Sequence, residues 1–429
     1  MGSIASSVPE VCAPTRCARR PRALTIQPPP PPRPPPSPFV SPTPNTTKNT
    51  QIAKNIVLAG VGQVTLAADG PASAHAGGNF LIPNAAVAAA AAPQQPAAAD
   101  VAARTLQEMN PLVRVAALPG GAAAVDAAAA ASNDDDTDDP IAQHDLVIWC
   151  GPATALLRAA RADAACRRRG KLFMAAAVSG HAGYCFCDYG PAYTYRPKEN
   201  EAGGGGAQPP ATGKDAAAGN PQPVAAEQTV AFSTLADALA APLGGLHANA
   251  HPLFPVLCAT ASVEKEGLSE QQQQQQELDD KAAPPPPPTA AAVERALREG
   301  ALGGSPAGPD LLAAAVDLAR AYVGQAERKS GGGEEDVVAS VMREYAPAAA
   351  AVGAVAANAA LRAVSRSGAP LRNAFFYSCA DGRGLVEDQP ALAEGGVVNG
   401  CGGGGGVGKR SGGQAGADQR AAEEVALSD

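Results

Sequence analysis

The sequence predicts an α/β fold, in which a mainly parallel β-sheet is covered by helices. Two observations lead to this prediction. Segments with apolar residues at helical spacing alternate along the chain with short runs of β-branched and apolar residues. One such run, "HDLVIWCG" at 144–151, is apolar along most of its length, as expected for a strand buried on both faces of a parallel sheet. The order strand, helix, strand is typical of α/β proteins.

The first ordered part of the chain is predicted over 49–118. Ile52, Ile56 and Ala59 recur at the spacing of a helix with one buried face. Gly60 can adopt the left-handed conformation that ends a helix, and the run "QVTLAAD" then predicts a strand. A second helix within "AAADVAARTLQEMNPLV" and a second strand, "VRVAAL", complete this part.

Two further ordered parts are predicted over 141–196 and 334–388. The first contains a strand, a helix whose arginine-rich end lies at the negative pole of the helix dipole, and two more strands. The second contains two helices separated at Pro347 and two closing strands. Small residues in the second of these helices favour close packing against another helix. Shorter helices are expected between the two parts, including one that starts at Pro309.

The composition predicts one globular body with long disordered insertions. The 429 residues include 46 glycines and 41 prolines, and only 4% are aromatic, so much of the length lacks the bulky groups that build a core. We expect a disordered proline-rich extension at 1–48, one domain at 49–388 and a disordered glycine-rich tail at 389–429. Within the domain, disordered inserts are expected at about 119–140, 197–228 and 262–308.

Charge and hydropathy argue against two classes of partner. The net charge of −8 is spread along the chain, and no basic stripe is interleaved with aromatic residues, so nucleic-acid binding is not expected. The long apolar stretches are alanine broken by proline, glycine or charge, so no membrane span is expected. The acidic run at 133–139 is interpreted as a solvated loop.

The nine cysteines follow no disulfide framework and are interpreted as buried, reduced thiols. Cys185 and Cys187 would lie on the same face of a strand, and a second cysteine pair at zinc-ligand spacing is missing, so no metal site is expected. His181 could act as a general base, but a structural or interface role is the better interpretation.

The predicted helix at Gln51 poses a problem for any nucleotide-binding function. A dinucleotide-binding fold requires a strand and a G-x-G-x-x-G turn before this helix, because only glycine lets the backbone N–H groups approach a phosphate. No glycine occurs between Gly2 and Gly60, and a proline-rich segment stands in that place. The first strand and the phosphate loop are therefore predicted to be absent. Asp69, at the position that binds ribose hydroxyls in such folds, is then interpreted as a turn residue.

Four collinear stretches carry a resemblance to a known family: "AKNIVLAGVGQVTLAAD", "NFLIP", "EMNPLVRV" and the C-terminal segment from "EYAPAAAAVG" to "GLVED". A looser match lies in "CRRRGKLFMAAAVSGHAGYCFCDYG". In wording and order these stretches resemble the small regulatory (Aos-type) subunit of the SUMO-activating enzyme in its plant or algal form. That family has a ThiF-like adenylation fold. The fold class expected is thus a Rossmann-like, ThiF/adenylation-type sheet flanked by helices, without its first strand and glycine loop.

The resemblance implies a non-catalytic subunit of a heterodimer, in the nucleus, that supports protein sumoylation. The large subunit would supply ATP, magnesium and the catalytic cysteine, and SUMO would be bound only indirectly by this chain. The family's N-terminal arginine segment has no match here. No catalytic, cofactor-binding or metal-ligating residue of this chain is therefore expected. A cytoplasmic location and an organelle transit peptide in the first 35 residues stay open.

Several alternatives remain open at this point. The chain could be the regulatory subunit for a NEDD8-type modifier or for ubiquitin, or an inactive truncated paralogue that acts as a binding scaffold through its polyproline runs. A ThiF/MoeB-type sulfur-carrier adenylyltransferase lacks support because the glycine loop and paired C-x-x-C ligands are missing. An NAD-dependent dehydrogenase is least supported, because the glycine loop is missing. We favour a faulty gene model as the origin of the missing first strand and glycine loop.

Overall fold

The computed structural model describes residues 38–42, 47–72, 79–83, 96–131, 139–198, 226–243, 246, 250–275, 287–300, 308–324 and 345–388. The strands within these ranges are β1 (Pro38–Pro42), β2 (Gln63–Leu66), β3 (Arg114–Ala117), β4 (Leu146–Cys150), β5 (Leu172–Ser179), β6 (Ala182–Asp188), β7 (Tyr193–Tyr195), β8 (Gln228–Val230), β9 (Ala374–Ser378) and β10 (Gly384–Glu387). The helices are α1 (Thr47–Leu58), α2 (Ala98–Met109), α3 (Gly121–Ala130), α4 (Leu156–Arg168), α5 (Leu235–Leu239), α6 (Leu253–Gln275), α7 (Ala290–Glu299), α8 (Gly308–Tyr322) and α9 (Ala346–Ser365).

Eight of the strands form one sheet in the order β3-β2-β1-β4-β5-β6-β9-β10. The first five are parallel to one another, and β6, β9 and β10 continue the sheet in antiparallel pairs. The parallel order 3-2-1-4-5 is that of a doubly wound nucleotide-binding sheet. The protein therefore has the predicted Rossmann-like α/β fold. Strands β7 and β8 form a separate small sheet.

The prediction that the first strand is absent was wrong. Strand β1 fills the central position, with Phe39 opposite Thr65 of β2 and opposite Val147 of β4. Its two prolines, which cannot donate a hydrogen bond, stand at the two ends of the strand, while Phe39, Val40 and Ser41 keep their N–H groups. This strand also lies inside the segment 1–48 that was expected to be disordered. Residues 43–46, which connect β1 to α1, lie outside the described residues and contain no glycine.

Two cores cover the two faces of the sheet. On one face, α1, α2 and α9 pack against apolar residues such as Val64, Ile148 and Met174. On the other face, α3 to α8 pack against residues such as Val147, Phe173 and Phe376. Because successive side chains of a strand point to opposite faces, β4 and β5 are apolar throughout. This agrees with the continuous apolar run that predicted β4.

The alanine-rich helix α9 packs closely against α1, as its small residues predicted. Ala348, Val352 and Ala356 are fully buried in the same core as Ile52 and Ile56 of α1. By length and composition α9 is also apolar enough to cross a membrane, yet its buried face belongs to the core of this domain. The helix is thus accounted for by packing within the protein.

Three helical segments lie where disorder was expected. Helix α3 lies within 119–140, and both the second half of α6 and α7 lie within 262–308. Alanine, which dominates α3, is the strongest helix former. Helix α7 begins with a side-chain cap, in which Ala292 N donates to Thr289 Oγ1 (3.2 Å). The other residues of the predicted inserts, the glycine-rich tail and the first helix predicted within 334–388 lie outside the described residues.

Asp139 does not fit the interpretation of 133–139 as a solvated loop. Its carboxylate is buried and pairs with the buried Arg169, whose Nε lies 2.5 Å from Asp139 Oδ2. Arg169 Nη2 also donates to Ala128 O near the C-terminal end of α3 (3.0 Å). A buried charge requires such a partner, because desolvation of an unpaired carboxylate is costly. Residues 132–138 lie outside the described residues.

The central position of β1 predicts that Val40→Pro destabilises the protein. Proline removes an N–H donor from a strand that has neighbours on both sides, and an unpaired buried partner costs about 1–3 kcal/mol. We expect urea unfolding followed by circular dichroism to show this loss, with Val40→Ile as a control that changes little. Equal stability of the proline variant and the parent would contradict the central placement of this segment.

Candidate functional site at the carboxyl edge of the parallel strands

Ligands of doubly wound sheets bind at the carboxyl ends of the strands, where the strand order reverses. In this protein the reversal lies between β1 and β4. The described segments at this edge follow β2, β3 and β4, and those after β3 and β4 lead into the N-termini of α3 and α4. The chemistry of these segments shows which groups a ligand would meet in the described part of this edge.

Asp69, which follows β2, binds the N-terminus of α3. Its Oδ1 accepts a hydrogen bond from Ala122 N (2.8 Å). A side chain at Gly121, which has a φ of 59°, would lie 2.3 Å from the same oxygen, so this close approach requires glycine. A carboxylate is favourable at the positive end of a helix dipole. Asp69 is thus a cap of a neighbouring helix, which the turn interpretation did not anticipate.

Glu264 performs the corresponding role at α4. This residue of α6 places Oε2 3.0 Å from Leu157 N, in the first turn of α4. Burial raises the pKa of Glu264, and the hydrogen bonds from the α4 backbone partly oppose that rise. The distance of 107 residues along the chain explains why no local sequence pattern predicted this contact.

Trp149 fills the space beside the backbone that follows β4. The side chain is 4% exposed, and a Cβ atom at Gly151 would lie 2.0 Å from its ring. Glycine at 151 is therefore required by the indole. On the same face, Arg158 Nε donates to Asp126 Oδ1 (2.8 Å), so this arginine of α4 is already paired with a carboxylate of α3.

Taken together, the described groups at this edge do not form a phosphate cradle. The N-termini of α3 and α4 bind the carboxylates of Asp69 and Glu264, which would repel the phosphates of a nucleotide. The glycine turn that would offer N–H groups before α1 is absent from the sequence. In the described part of this edge, both helix N-termini are therefore engaged by side chains of the protein itself.

Two asparagines organise the segments that carry the family resemblance. Asn79 Oδ1 accepts hydrogen bonds from Thr50 Oγ1 of α1 (2.9 Å) and from Leu81 N (3.0 Å). Asn110 Nδ2 donates to Val57 O at the end of α1 (2.9 Å), while its Oδ1 accepts from Leu112 N (3.1 Å). Both residues therefore fix a connecting segment to α1, which is a structural role.

A polar cluster at the opposite, amino edge was missed by sequence reasoning. Asp163 Oδ2 accepts from Leu235 N (2.6 Å), and Arg167 Nη1 donates to Asp188 Oδ2 (2.7 Å). Burial and the nearby Asp188 carboxylate raise the pKa of Asp163, and burial raises that of Asp188. Arg167 also donates to Phe232 O (2.8 Å). The cluster joins α4, β6 and the segment before α5, and its contacts are those of a structural network.

The cysteines and His181 show no catalytic arrangement in the described part of the chain. Cys185 and Cys187 are fully buried on one face of β6, together with Cys150 of β4. The pKa of the Cys185 thiol is raised mainly by its hydrogen bond with Cys187 and secondly by burial. No group of three or more metal-ligating side chains occurs among the described residues. His181 lies in the β5–β6 turn, where its carbonyl accepts from Cys379 N (2.8 Å).

His251 is a buried histidine that sequence reasoning did not single out. It is 1% exposed, precedes α6 and stacks on Phe376 with ring centroids 5.7 Å apart. Its Nδ1 accepts from Leu253 N (3.1 Å), so the proton of the neutral ring lies on Nε2. Burial, more than the opposing effect of Asp381, lowers the pKa of His251 to about 4.

A groove of about 630 Å³ lies between α5, α6 and α7. Its floor is formed by small and apolar residues such as Leu239, Cys258 and Ala292, and Arg295 and Glu299 lie at its rim. Its lining residues Val263 and Glu266 flank Glu264 on α6, but neither Glu264 nor Asp69 lines the groove.

Comparison with known proteins finds similarity to solved structures and none to known sequences. No family model matches the chain, and no curated protein matches it by sequence. The crystal structure of E. coli MccB with succinimide is similar with a TM-score of 0.36 and 8% sequence identity, over 83% of this chain and 64% of MccB. The chain thus spans less than two thirds of the length of MccB. The fold assignment made above rests on the strand order.

The contact between Asp69 and α3 predicts that Asp69→Ala lowers the free energy of unfolding by about 0.5–2 kcal/mol, the usual cost of a lost helix cap. Asp69→Asn keeps an oxygen acceptor for Ala122 N and should lose less. Chemical denaturation of the three proteins measures the difference. If Asn and Ala variants were equally unstable, the hydrogen bond to the helix would not be the cause.

The lowered pKa of His251 predicts a specific dependence of stability on pH. As the pH falls from 6.5 towards 4, the unfolded chain binds the proton before the folded protein does. The contribution of His251 to the free energy of unfolding is therefore fully present above pH 6.5. It is lost as the pH falls through this window, by up to about 3 kcal/mol. His251→Asn keeps an acceptor for Leu253 N and removes the titration. Urea unfolding at several pH values should show a larger decline for the parent than for the variant, which keeps only the decline due to His144 and other titrating groups.

Proposed function

We propose that the protein is the non-catalytic subunit of a ubiquitin-like-modifier-activating enzyme, namely the small subunit of a SUMO-activating heterodimer. The observation that carries this proposal is the carboxyl edge of the sheet. A nucleotide-binding fold without a glycine turn there directs Asp69 and Glu264 onto the N-termini of α3 and α4. Such a chain is suited to support a nucleotide site in a homologous partner.

The SUMO assignment is supported by the stretches that resemble the Aos-type subunit. In the structure "NFLIP" and "EMNPLVRV" are held against α1 by Asn79 and Asn110. The C-terminal stretch forms α9, β9 and β10, and α9 packs against the same helix. The resembling segments therefore form one connected part of the fold around α1, which is the arrangement expected if they were retained for a common purpose.

In the proposed heterodimer the large subunit holds ATP and magnesium, forms the SUMO adenylate and carries the cysteine that accepts SUMO as a thioester. This chain contributes no reacting group, contacts SUMO only indirectly and works in the nucleus. Its role is to complete the assembly and stabilise the active conformation of the partner.

The test is co-purification of the full chain with the large SUMO-activating subunit, followed by an ATP-dependent SUMO thioester assay. We expect a stable complex and thioester formation that depends on this chain. The large subunits for NEDD8-type modifiers and ubiquitin serve as controls. Selective binding to one of these control subunits would assign the chain to that modifier instead of SUMO. Failure to bind any of the large subunits would overturn the proposal in favour of a scaffold without this activity.

The cysteines of this chain are expected to play no part in thioester formation. Among the described cysteines only Cys379 is partly exposed. Cys379→Ser should therefore leave the amount of SUMO thioester unchanged, while the thioester should migrate with the large subunit on non-reducing gels. A thioester on this chain that Cys379→Ser abolishes would contradict a non-catalytic role.

A further inference from the structure

Strand β10 is the last strand of the sheet, and no described element pairs with its outer side. Ser378 N donates to Arg383 O (3.1 Å), which fixes the alternation of hydrogen bonds between β9 and β10. In an antiparallel pair every second residue bonds to the neighbouring strand. The backbone N–H and C=O groups therefore point towards β9 at Arg383, Leu385 and Glu387. At Gly384 and Val386 these groups point away from β9.

The face of the sheet beside this edge is apolar and incompletely covered. Val386 is 57% exposed, and Phe375 and Tyr377 of β9 are half-buried with ring centroids 6.4 Å apart. A side chain at Gly384 would lie 2.9 Å from the Phe375 ring, so the ring stands directly beside this glycine. An exposed edge with an apolar neighbour is a surface that pairs readily with another strand.

We propose that β10 pairs with β10 of a second copy of this chain, so that the two sheets join into one about a two-fold axis at Leu385. Antiparallel pairing of identical strands is isologous, because each strand offers the other the same groups. With the axis at Leu385, the outward N–H and C=O groups of Gly384 and Val386 bond to those of Val386 and Gly384 in the second copy.

The side chains favour the register with the two-fold axis at Leu385 over the register with the axis at Val386. Val386 comes to lie opposite Gly384 of the second copy, where the absent side chain leaves the Phe375 ring free to receive it. On the other face, Arg383 comes to lie opposite Glu387 of the second copy, an opposite-charge pair. The Glu387 carboxylate keeps the hydrogen bond that its Oε1 accepts from His251 N of its own chain (2.6 Å). A two-fold axis at Val386 would instead place Leu385 opposite Glu387, which pairs an apolar group with a charged one.

The experiment is sedimentation equilibrium of the full chain alone, over a wide concentration range, for the parent and three variants. We expect a monomer–dimer equilibrium for the parent. Val386→Pro removes an outward N–H without breaking the bonds to β9, and Arg383→Glu places like charges opposite each other, so both should weaken dimerisation at least tenfold. Leu112→Asp, at a 93% exposed apolar residue in the turn before β3 at the opposite end of the sheet, is the matched control and should dimerise like the parent.

A second measurement tests the register independently of affinity. Leu385→Cys places two thiols at the two-fold axis and should give a disulfide-linked dimer on mild oxidation, in excess of the parent, whereas Asp388→Cys should not. A parent that stays monomeric at all concentrations, or a dimer that Val386→Pro and Arg383→Glu leave intact, would overturn the proposal. Because no large subunit is present, these outcomes are independent of the proposed SUMO function.

Discussion

The pairing of β1 between β2 and β4 is the contact on which the rest of the sheet depends. Without it, the unit made of β2, α2 and β3 would share no strand contact with β4 and the strands beyond. The register places Val40 between Leu66 and Ile148, so three consecutive non-proline residues supply the hydrogen bonds of the central strand. The reversal of strand order, and therefore the candidate site, exists only because this short segment is inserted.

Helix α3 illustrates how charge replaces side-chain packing in an alanine-rich chain. Its sequence offers Val125 as the only bulky apolar residue, so packing alone specifies its position weakly. Asp69 binds its N-terminal end, and Arg169 and Arg168 donate to carbonyls at or just beyond its C-terminal end. Opposite charges at the two poles of the dipole thus hold the helix between β2 and α4. The same carboxylate that fixes the helix also closes its N-terminus to an anionic ligand.

The fold class and most elements followed from periodicity, because helices such as α4 and strands such as β4 carry strong apolar patterns. Strand β1 was missed because its flanking prolines dominate the local composition, although they stand where a strand tolerates them. The carboxylate of Glu264 at α4 and the pair of Asp139 with Arg169 depend on contacts between distant segments. Local sequence patterns hold no information about such contacts, so the binding of these internal acids to the helix N-termini could not be predicted.

His144 adds a second connection between β2 and the segment that leads into β4. Its Nδ1 donates to Pro140 O (2.7 Å) and its Nε2 accepts from Thr65 Oγ1 of β2 (2.9 Å), while burial lowers its pKa and favours the neutral ring that this arrangement needs. The residue lies two positions before the start of β4. The imidazole therefore links β2 to the beginning of β4 across the width of one intervening strand, with about 10 Å between the outer strands. The side chain of His144 thus connects the same two strands that β1 joins by backbone pairing.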